Sequence, residues 1–502
     1  MTFDVDAYCA RKDHRAHAAG MPADPRAAQW SQHPHKYMEK IGNRLPYVGK
    51  MDQAWTVMLY RQGLIKLETA QKLLPVLKEA QTEIGWGGED WIKEKLDGDE
   101  YTASAVNLGR TLQEPMARMQ MRDALIDTFD MIHEVRQVLI DLSEKYVDAL
   151  MAGQSHMSHA QPTTYGQYLL TMHDGVARAE EQLALAYKFT NMNSGGCGAC
   201  SGTGWDVDRQ LVTELLGFDE LIELVYDCEA SQDEIPQILF ALSSLAMTLS
   251  RGTLDHEIWS LEEIGMMAVG DTWKGLSSFM PQKAHSGGVT ENIRRACNEV
   301  FGQMTTCMFA YKGELIQDNL PVYQAPPFVF KGCAEVQRAM GLFKSMLPDM
   351  YVYPDRMLQI VKDGYSGSPD LAIVMIRDMD YGSRQAHRIC ANAVRMARQR
   401  NIKPCEMTGE LIDEAAALSN EPLPHLTTEQ VQECMSLDHF LEKHCNLGDP
   451  CKPETMRMIG IRREQLQASQ QQQAQRKQRL EEGDRKLADA IEAILQEKPV
   501  CA

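Results

Sequence analysis

From Met116 to Leu150 the apolar positions recur three and four apart: Leu125, Phe129, Ile132, Val135, Leu139, Leu142, Tyr146 and Leu150. This spacing predicts one long amphipathic helix, about 50 Å at 1.5 Å per residue. A second begins near Ile235, with Pro236 in its first turn and Ile238, Leu239, Leu242, Leu245, Leu249, Ile258 and Leu261 on its stripe. A third runs from about Glu291 through Val300 and Met304 to Tyr311. Helices of this length must cover one another's apolar faces. Almost nothing alternates with period two, so the expected fold class is all-α, built around a central bundle of long helices.

A chain of 502 residues is too long for one ordinary core. Residues 1–110 carry short helical patterns punctuated by Pro22, Pro25, Pro34 and Pro46, with a glycine-rich break at 86–90. The expected division is an N-terminal helical domain over 1–110, the long-helix bundle over 111–365, and a C-terminal helical domain over 366–502. The stretch from Arg462 to Glu497 is rich in Gln, Lys, Arg and Glu, with too few apolar residues for a core. It is expected as an exposed or capping helix, frayed at first, with Leu480, Leu487, Ile491, Ile494 and Leu495 docking its later part.

The formal charge of −19 repels phosphate backbones and anionic lipid, and no basic cluster offsets it. Nucleic acid and membrane are therefore not expected as partners. No run of about 18 apolar residues occurs, and the polar N-terminus has no apolar signal segment. Thirteen scattered cysteines do not read as a disulfide framework, so a cytoplasmic location is expected. Cys197 and Cys200 have C-x-x-C spacing, but nothing nearby completes a tetrahedral site. They read as small residues of a tight loop. No metal and no organic cofactor is expected.

Three glycine- and serine-rich segments are longer than a helix bundle needs: 153–166, 193–209 and 274–292. The first places Ser155 beside His156. The third sets Ser277 and Ser278 six and five residues before Lys283, the parts of a closing loop that carries a base and a cation.

These segments resemble the fumarase/aspartase/argininosuccinate lyase superfamily. SSFMPQK at 277–283 is similar to its signature loop, Gly-Ser-Ser-x-Met-Pro-x-Lys-x-Asn. SHMSHAQPTTYGQYLL resembles its Thr-His-x-x-x-Ala-Gln-Pro region, and GCGACSGTGWDVDR its Gly-Ser-Gly-Ala-x-x-Gly-Thr region. LSRGTLDHEIWSLEEIG, SPDLAIVMIR and DQAWTVMLYRQGLI are similar to further segments, so the resemblance spans roughly residues 45 to 400. It is nearest to the argininosuccinate lyases.

The resemblance implies a three-domain helical homotetramer whose active sites combine segments of three subunits. It implies reversible β-elimination from a small carboxylate through an aci-carboxylate dianion. Ser277 matches the general base and Lys283 the lysine facing the substrate carboxylate. His156 matches the family histidine, and Glu291 the glutamate that orients it. Ser155, Ser278, Met280, Gln161, Arg110, Thr111, Gln113, Tyr311 and His285 fall at substrate-binding positions. Removing a proton beside a carboxylate concentrates negative charge, which explains the need for a cation and fixed N–H donors in a dry site.

Several substrate-reading positions depart from argininosuccinate lyases. GRTLQE at 109–114 stands for Gly-Arg-Ser-Arg-Asn-Asp, so Leu112 replaces an arginine and Gln113 an asparagine. His285 stands in place of the loop asparagine, and one residue is inserted before Glu291. Aligned from Tyr311, Ile316 and Asn319 replace a glutamine and a lysine. Losing an arginine at a carboxylate site removes a charge-assisted bidentate contact. The expectation is a carbon–nitrogen lyase for a substrate other than argininosuccinate. The alternatives are a C–O or C–S lyase of the same superfamily and an inactive structural homologue.

Overall fold

The computed structural model describes residues 45–80, 89–111, 115–230, 232–273, 279, 288–319 and 324–498. The first region contains α1 (Leu45–Arg61), α2 (Leu67–Ala80), α3 (Glu89–Lys95) and α4 (Glu100–Ser104). Next come α5 (Met116–Lys145), β1 (Leu150–Ser155), β2 (Ser158–Thr164) and α6 (Tyr165–Thr190). They are followed by β3 (Met192–Asn193), α7 (Arg209–Leu215), β4 (Glu220–Leu221), α8 (Val225–Ala230) and α9 (Glu234–Trp259). Then come β5 (Met267–Ala268), α10 (Gly288–Tyr311), α11 (Pro326–Met346), β6 (Tyr351–Val352) and α12 (Pro354–Asp363). The last are α13 (Ser368–Asp378), α14 (Ser383–Gln399), α15 (Gly409–Leu418), α16 (Thr428–Ser436), α17 (Phe440–Lys443) and α18 (Lys452–Gln496). The strands pair two by two: β1 with β2 and β5 with β6 antiparallel, β3 with β4 parallel.

Side-chain bonds fix the direction of each bundle helix. Tyr168 at the start of α6 bonds Asp255 near the end of α9, and Arg294 at the start of α10 pairs with Glu257. Gln337 of α11 reaches Thr128 of α5, and Lys344, about two turns further on, reaches Glu134. Helices α5, α9 and α11 therefore run toward the β1–β2 hairpin, and α6 and α10 run away from it. The predicted stripes form the shared core: Leu125, Phe129 and Leu139 meet Leu169 and Val176 of α6, Leu242 and Leu249 of α9, Val300 of α10 and Phe343 of α11. Each such side chain contributes about 1.5–3 kcal/mol by leaving water. Leu261 departs from expectation and is exposed, because α9 ends at Trp259 and Gly265, at φ +63°, turns the chain back.

Two smaller apolar clusters flank the bundle. One joins Met51, Trp55 and Met58 of α1 to Met119, Leu216 and Phe218. The other runs from Leu371 to Met435. The polar terminal segment differs from the frayed helix expected: α18 is a single helix of 45 residues. It starts with Ile459 and Leu466 packed on Ile140 of α5 and Leu170 of α6, and runs along α5 to the first region, where Leu487, Ala490 and Ile494 are buried. Its polar middle is held by a buried hydrogen bond and a cation–π contact. Buried Gln473 donates to Ile126 O at 2.9 Å, and the Arg476 guanidinium lies 4.4 Å from the Phe129 ring centre. Leu495, expected to dock, is exposed. Among the described residues no helix is long and apolar enough to cross a membrane.

Candidate active site

The β1–β2 hairpin carries Ser155, His156 and Gln161. Ser155 pairs with Ser158, so His156 and Met157 form a two-residue turn with φ of +52° and +60°. Positive φ at both positions matches the twist of a tight hairpin but is unusual for non-glycine residues. The register slips between Ala152 and Gln154, where Ala160 and Gln161 oppose Gly153 alone. A Cβ on Gly153 would lie 2.6 Å from Gln161 O, so the bulge requires glycine there. The base of the hairpin is anchored by Leu150 and Ala152 against Val361, Leu437 and Phe440. Its tip stands in solvent: Ser155, His156 and Gln161 are all exposed.

Beneath the hairpin, Tyr165, Tyr168, His256 and Trp259 form an aromatic cluster. The Tyr165 hydroxyl lies 2.8 Å from His256 Nε2, and His256 Nδ1 lies 2.6 Å from Gly252 O. A carbonyl can only accept, so Nδ1 carries the proton and Nε2 accepts the hydrogen bond donated by the tyrosine hydroxyl. Burial holds His256 below its ordinary value, in the neutral form this arrangement needs. Glu291 lies in the first turn of α10 at the same end and is exposed. Among the described residues, neither the His156 nor the Glu291 side chain has a hydrogen-bond partner within the chain.

Arg110 and Thr111 lie at the opposite end, ahead of α5. The Arg110 side chain is fully sealed from solvent: Nη2 pairs with Asp52, and Nε reaches Val106 O at 3.3 Å. Burial raises the Asp52 carboxyl while Arg110 opposes the rise. Trp55 donates to Leu108 O at 2.9 Å and packs against the guanidinium. Gly109, at φ +77°, faces the glycine-rich segment, where a Cβ would meet Trp205 at 3.3 Å and Thr203 at 3.4 Å. Tyr311 is at this end too, with its hydroxyl donating to Gln232 O at 3.0 Å and burial pushing it upward. Beside it Arg118 and buried Glu234 form an ion pair at 3.0 Å.

One chain thus divides the described candidates between two ends of its bundle. Ser155, His156, Gln161 and Glu291 are at one; Arg110, Thr111 and Tyr311 are at the other. The 30 residues of α5 separate them by about 45 Å. Gln113, Ser277, Ser278, Met280, Lys283 and His285 lie outside the described residues. Asp52 was not singled out from the sequence, although a lone acid between Met51 and the buried Ala54 and Trp55 was a signal for a buried cation.

Known proteins share this fold. A family model described as lyase matches residues 38–302, more than half of the chain. Argininosuccinate lyase of Methanosarcina barkeri is 27% identical over 435 residues, covering 84% of this chain and 87% of the relative. The same enzyme of Methanocaldococcus jannaschii is 26% identical over 431 residues, covering 83% and 87%. Among solved structures, EDDS lyase in complex with formate has a TM-score of 0.83 at 23% identity, over 90% of this chain and 92% of the other. A class II fumarase from Schistosoma mansoni has a TM-score of 0.64 at 15% identity, over 79% and 90%. The fold is theirs, and the chain belongs to the lyase family of the fumarase/aspartase/argininosuccinate lyase superfamily.

Proposed function

We propose that this lyase cleaves a carbon–nitrogen bond by β-elimination from an amino-substituted carboxylate other than argininosuccinate. The observation that carries the reading is the division of candidate residues between two ends of one bundle. A site drawing on both ends needs further copies of the chain, set so that one copy's hairpin meets another's Arg110 end. The outer face of α9 supports this, because Phe240, Met247 and Leu254 are exposed at intervals of seven. A homotetramer that shares these faces, with each active site built from three subunits, accounts for both features.

In such a site Ser277 takes the proton beside the carboxylate, and Lys283 stabilises the dianion that forms. His156, with Glu291 at the same end to orient it, assists the departing amine. Ser155, Ser278, Met280, Gln161, Thr111, Gln113, Tyr311 and His285 contact the substrate. Arg110 serves as a positioning residue, since its sealed pairing with Asp52 fixes the backbone of 109–111. Leu112, together with exposed Leu315 and Ile316 near Tyr311, favours a substrate with one carboxyl group fewer or a bulkier, less polar amine. The argininosuccinate lyases and EDDS lyase among the similar proteins support nitrogen as the leaving atom.

Release of an unsaturated acid, followed by ultraviolet absorbance over a panel of amino-carboxylates, thioethers and hydroxy acids, tests this. Turnover confined to amino-carboxylates supports the proposal. Turnover of a thioether or hydroxy acid alone redirects it to C–S or C–O cleavage. Silence across the panel favours an inactive structural homologue.

A further inference from the structure

The C-x-x-C pair draws the eye to Cys197 and Cys200, but the fold gives Cys197 a different partner. Cys197 and Cys228 share a small buried cluster with Ile222, which sets their thiols close enough to interact. Arg209 of α7 donates from Nη2 to Cys228 Sγ at 3.2 Å. Cys197 Sγ donates to Glu229 Oε1 at 3.0 Å. One sulfur therefore has a cation against it and the other a carboxylate. That asymmetry suits a dithiol in which one sulfur attacks as thiolate and the second is deprotonated to resolve it.

We propose that Cys228 and Cys197 form a peroxide-oxidisable dithiol, a modification site separate from the elimination chemistry. The Cys228 thiolate attacks one oxygen of hydrogen peroxide, the O–O bond breaks, and hydroxide leaves to give a sulfenic acid. Glu229 takes the Cys197 proton, and the Cys197 sulfur attacks the sulfenic sulfur. The S–S bond forms as the S–O bond breaks, and the departing hydroxide takes the proton from Glu229 and leaves as water. The two thiols lose two electrons, and the peroxide is reduced to two waters.

Three further features fit. The Cys197 thiol and the arginines Arg209 and Arg118 hold the Cys228 thiol below its ordinary value despite burial. By contrast, burial pushes Cys297, Cys307 and Cys333 up to about 12, leaving them inert as nucleophiles. Access is short, because the Ile222 and Leu224 carbonyls beside Cys228 belong to residues lining a surface cleft of about 670 Å³. Asp219, Glu220, Glu223 and Asp227 also line that cleft, so it disfavours anionic oxidants and admits a neutral peroxide.

The test treats the reduced full chain with stoichiometric hydrogen peroxide, alkylates the remaining thiols, digests without reduction and maps cysteines by mass spectrometry. The expected product joins the Cys197 and Cys228 peptides. Cys197→Ser should leave a sulfenic acid at Cys228 that dimedone captures, and Cys228→Ser should leave Cys197 as a thiol. Arg209→Met should slow Cys228 oxidation about tenfold or more. Arg209 also bonds the Gly195 and Ile222 carbonyls, so Arg209→Lys, which keeps the charge, should oxidise faster than Arg209→Met. A Cys197–Cys200 product, or Cys228 oxidation no faster than that of exposed Cys405, would overturn the proposal.

Discussion

Arg462 of the terminal helix grips Asp174 of α6 with two hydrogen bonds, 2.9 Å from Nε and 2.5 Å from Nη2. The contact ends a continuous buried chain. His173 Nδ1 donates to Asp174 at 3.0 Å, Arg136 Nε donates to His173 Nε2 at 3.2 Å, and Arg136 Nη1 reaches Glu180 at 2.6 Å. Glu180 also faces His133 and accepts from Ser469 of α18. Three helices are latched together by charge and tautomer, beside the buried apolar contact of Ile459 and Leu466 with Ile140 and Leu170.

Acid should open that latch. Burial, and then Arg136 and Arg462, hold His173 below its ordinary 6.5, although Asp174 opposes this. Burial raises Asp174, but His173 and Arg462 outweigh it and hold the carboxyl at about 2, below its ordinary 3.8. Both folded values are depressed, so the unfolded chain binds more protons and stability falls as the pH is lowered. The loss begins below pH 6.5 through His173 and continues below pH 3.8 through Asp174. Thermal melts against pH should show this slope, and His173→Asn should flatten its upper part. Arg462→Met should cost about 1–2 kcal/mol at neutral pH. Equal slopes in the variant and the parent would assign the acid sensitivity to other groups.

The same helix shows where sequence reading stops. Apolar periodicity located α5, α9 and α10 to within a few residues, because a three-and-four stripe has one physical outcome in a large core. It could not place Gln473, Arg476 or Ser469, whose partners Ile126, Phe129 and Glu180 lie hundreds of positions away. Polar docking leaves no period. In the site, the order of motifs marked Ser155 and His156 and the segment around Arg110. That Arg110 turns inward to Asp52, and that these segments stand about 45 Å apart in one chain, depends on the direction of α5 and on pairing across helices.

Close approach at the hairpin end gives a stability prediction. A Cβ on Gly166 would strike the Ser143 carbonyl and lie 3.0 Å from Tyr146 O, both backbone atoms that cannot swing aside. Gly166 N also donates to Tyr146 O at 3.1 Å, tying the start of α6 to the end of α5. Gly166→Ala should cost about 1–3 kcal/mol as overpacking. Gly460, with open space around it, is the control, and Gly460→Ala should not lower the denaturant midpoint.

Assembly is addressed by the exposed seam of α9. If Met247 and Leu254 are buried between copies, a charge there would be trapped in an apolar interface. The double variant Met247→Glu/Leu254→Glu should run as a smaller species in light scattering while keeping its helical circular dichroism. An unchanged mass would place the shared interface elsewhere.

The split site predicts rescue between two defective chains. His156→Asn and Thr111→Val each damage one end of the bundle, and an active site would take those ends from different copies. In randomly mixed tetramers about one site in four escapes both substitutions. Co-expression should then restore about a quarter of the wild-type rate, well above either variant alone. Activity no higher than the mean of the two variants would mean that both residues come from one chain.

Removal of the base is the most direct test of the chemistry. Ser277 stands in the Ser-Ser-x-Met-Pro-x-Lys segment at the position matched to proton abstraction, with Lys283 six residues on. A serine hydroxyl is a poor base unless its alkoxide is stabilised, which loop N–H groups and a lysine can do in a dry site. Ser277→Ala should therefore lower kcat by about 10²-fold or more, since no other group replaces the base. KM should change little, because the contacts that hold the substrate in the ground state come from other segments. Ser278→Ala, which removes only a positioning hydroxyl, should be milder, and Lys283→Met should lower kcat and weaken carboxylate binding together. A Ser277→Ala enzyme turning over near the wild-type rate, on whichever amino-carboxylate the panel identifies, would assign the proton to another residue.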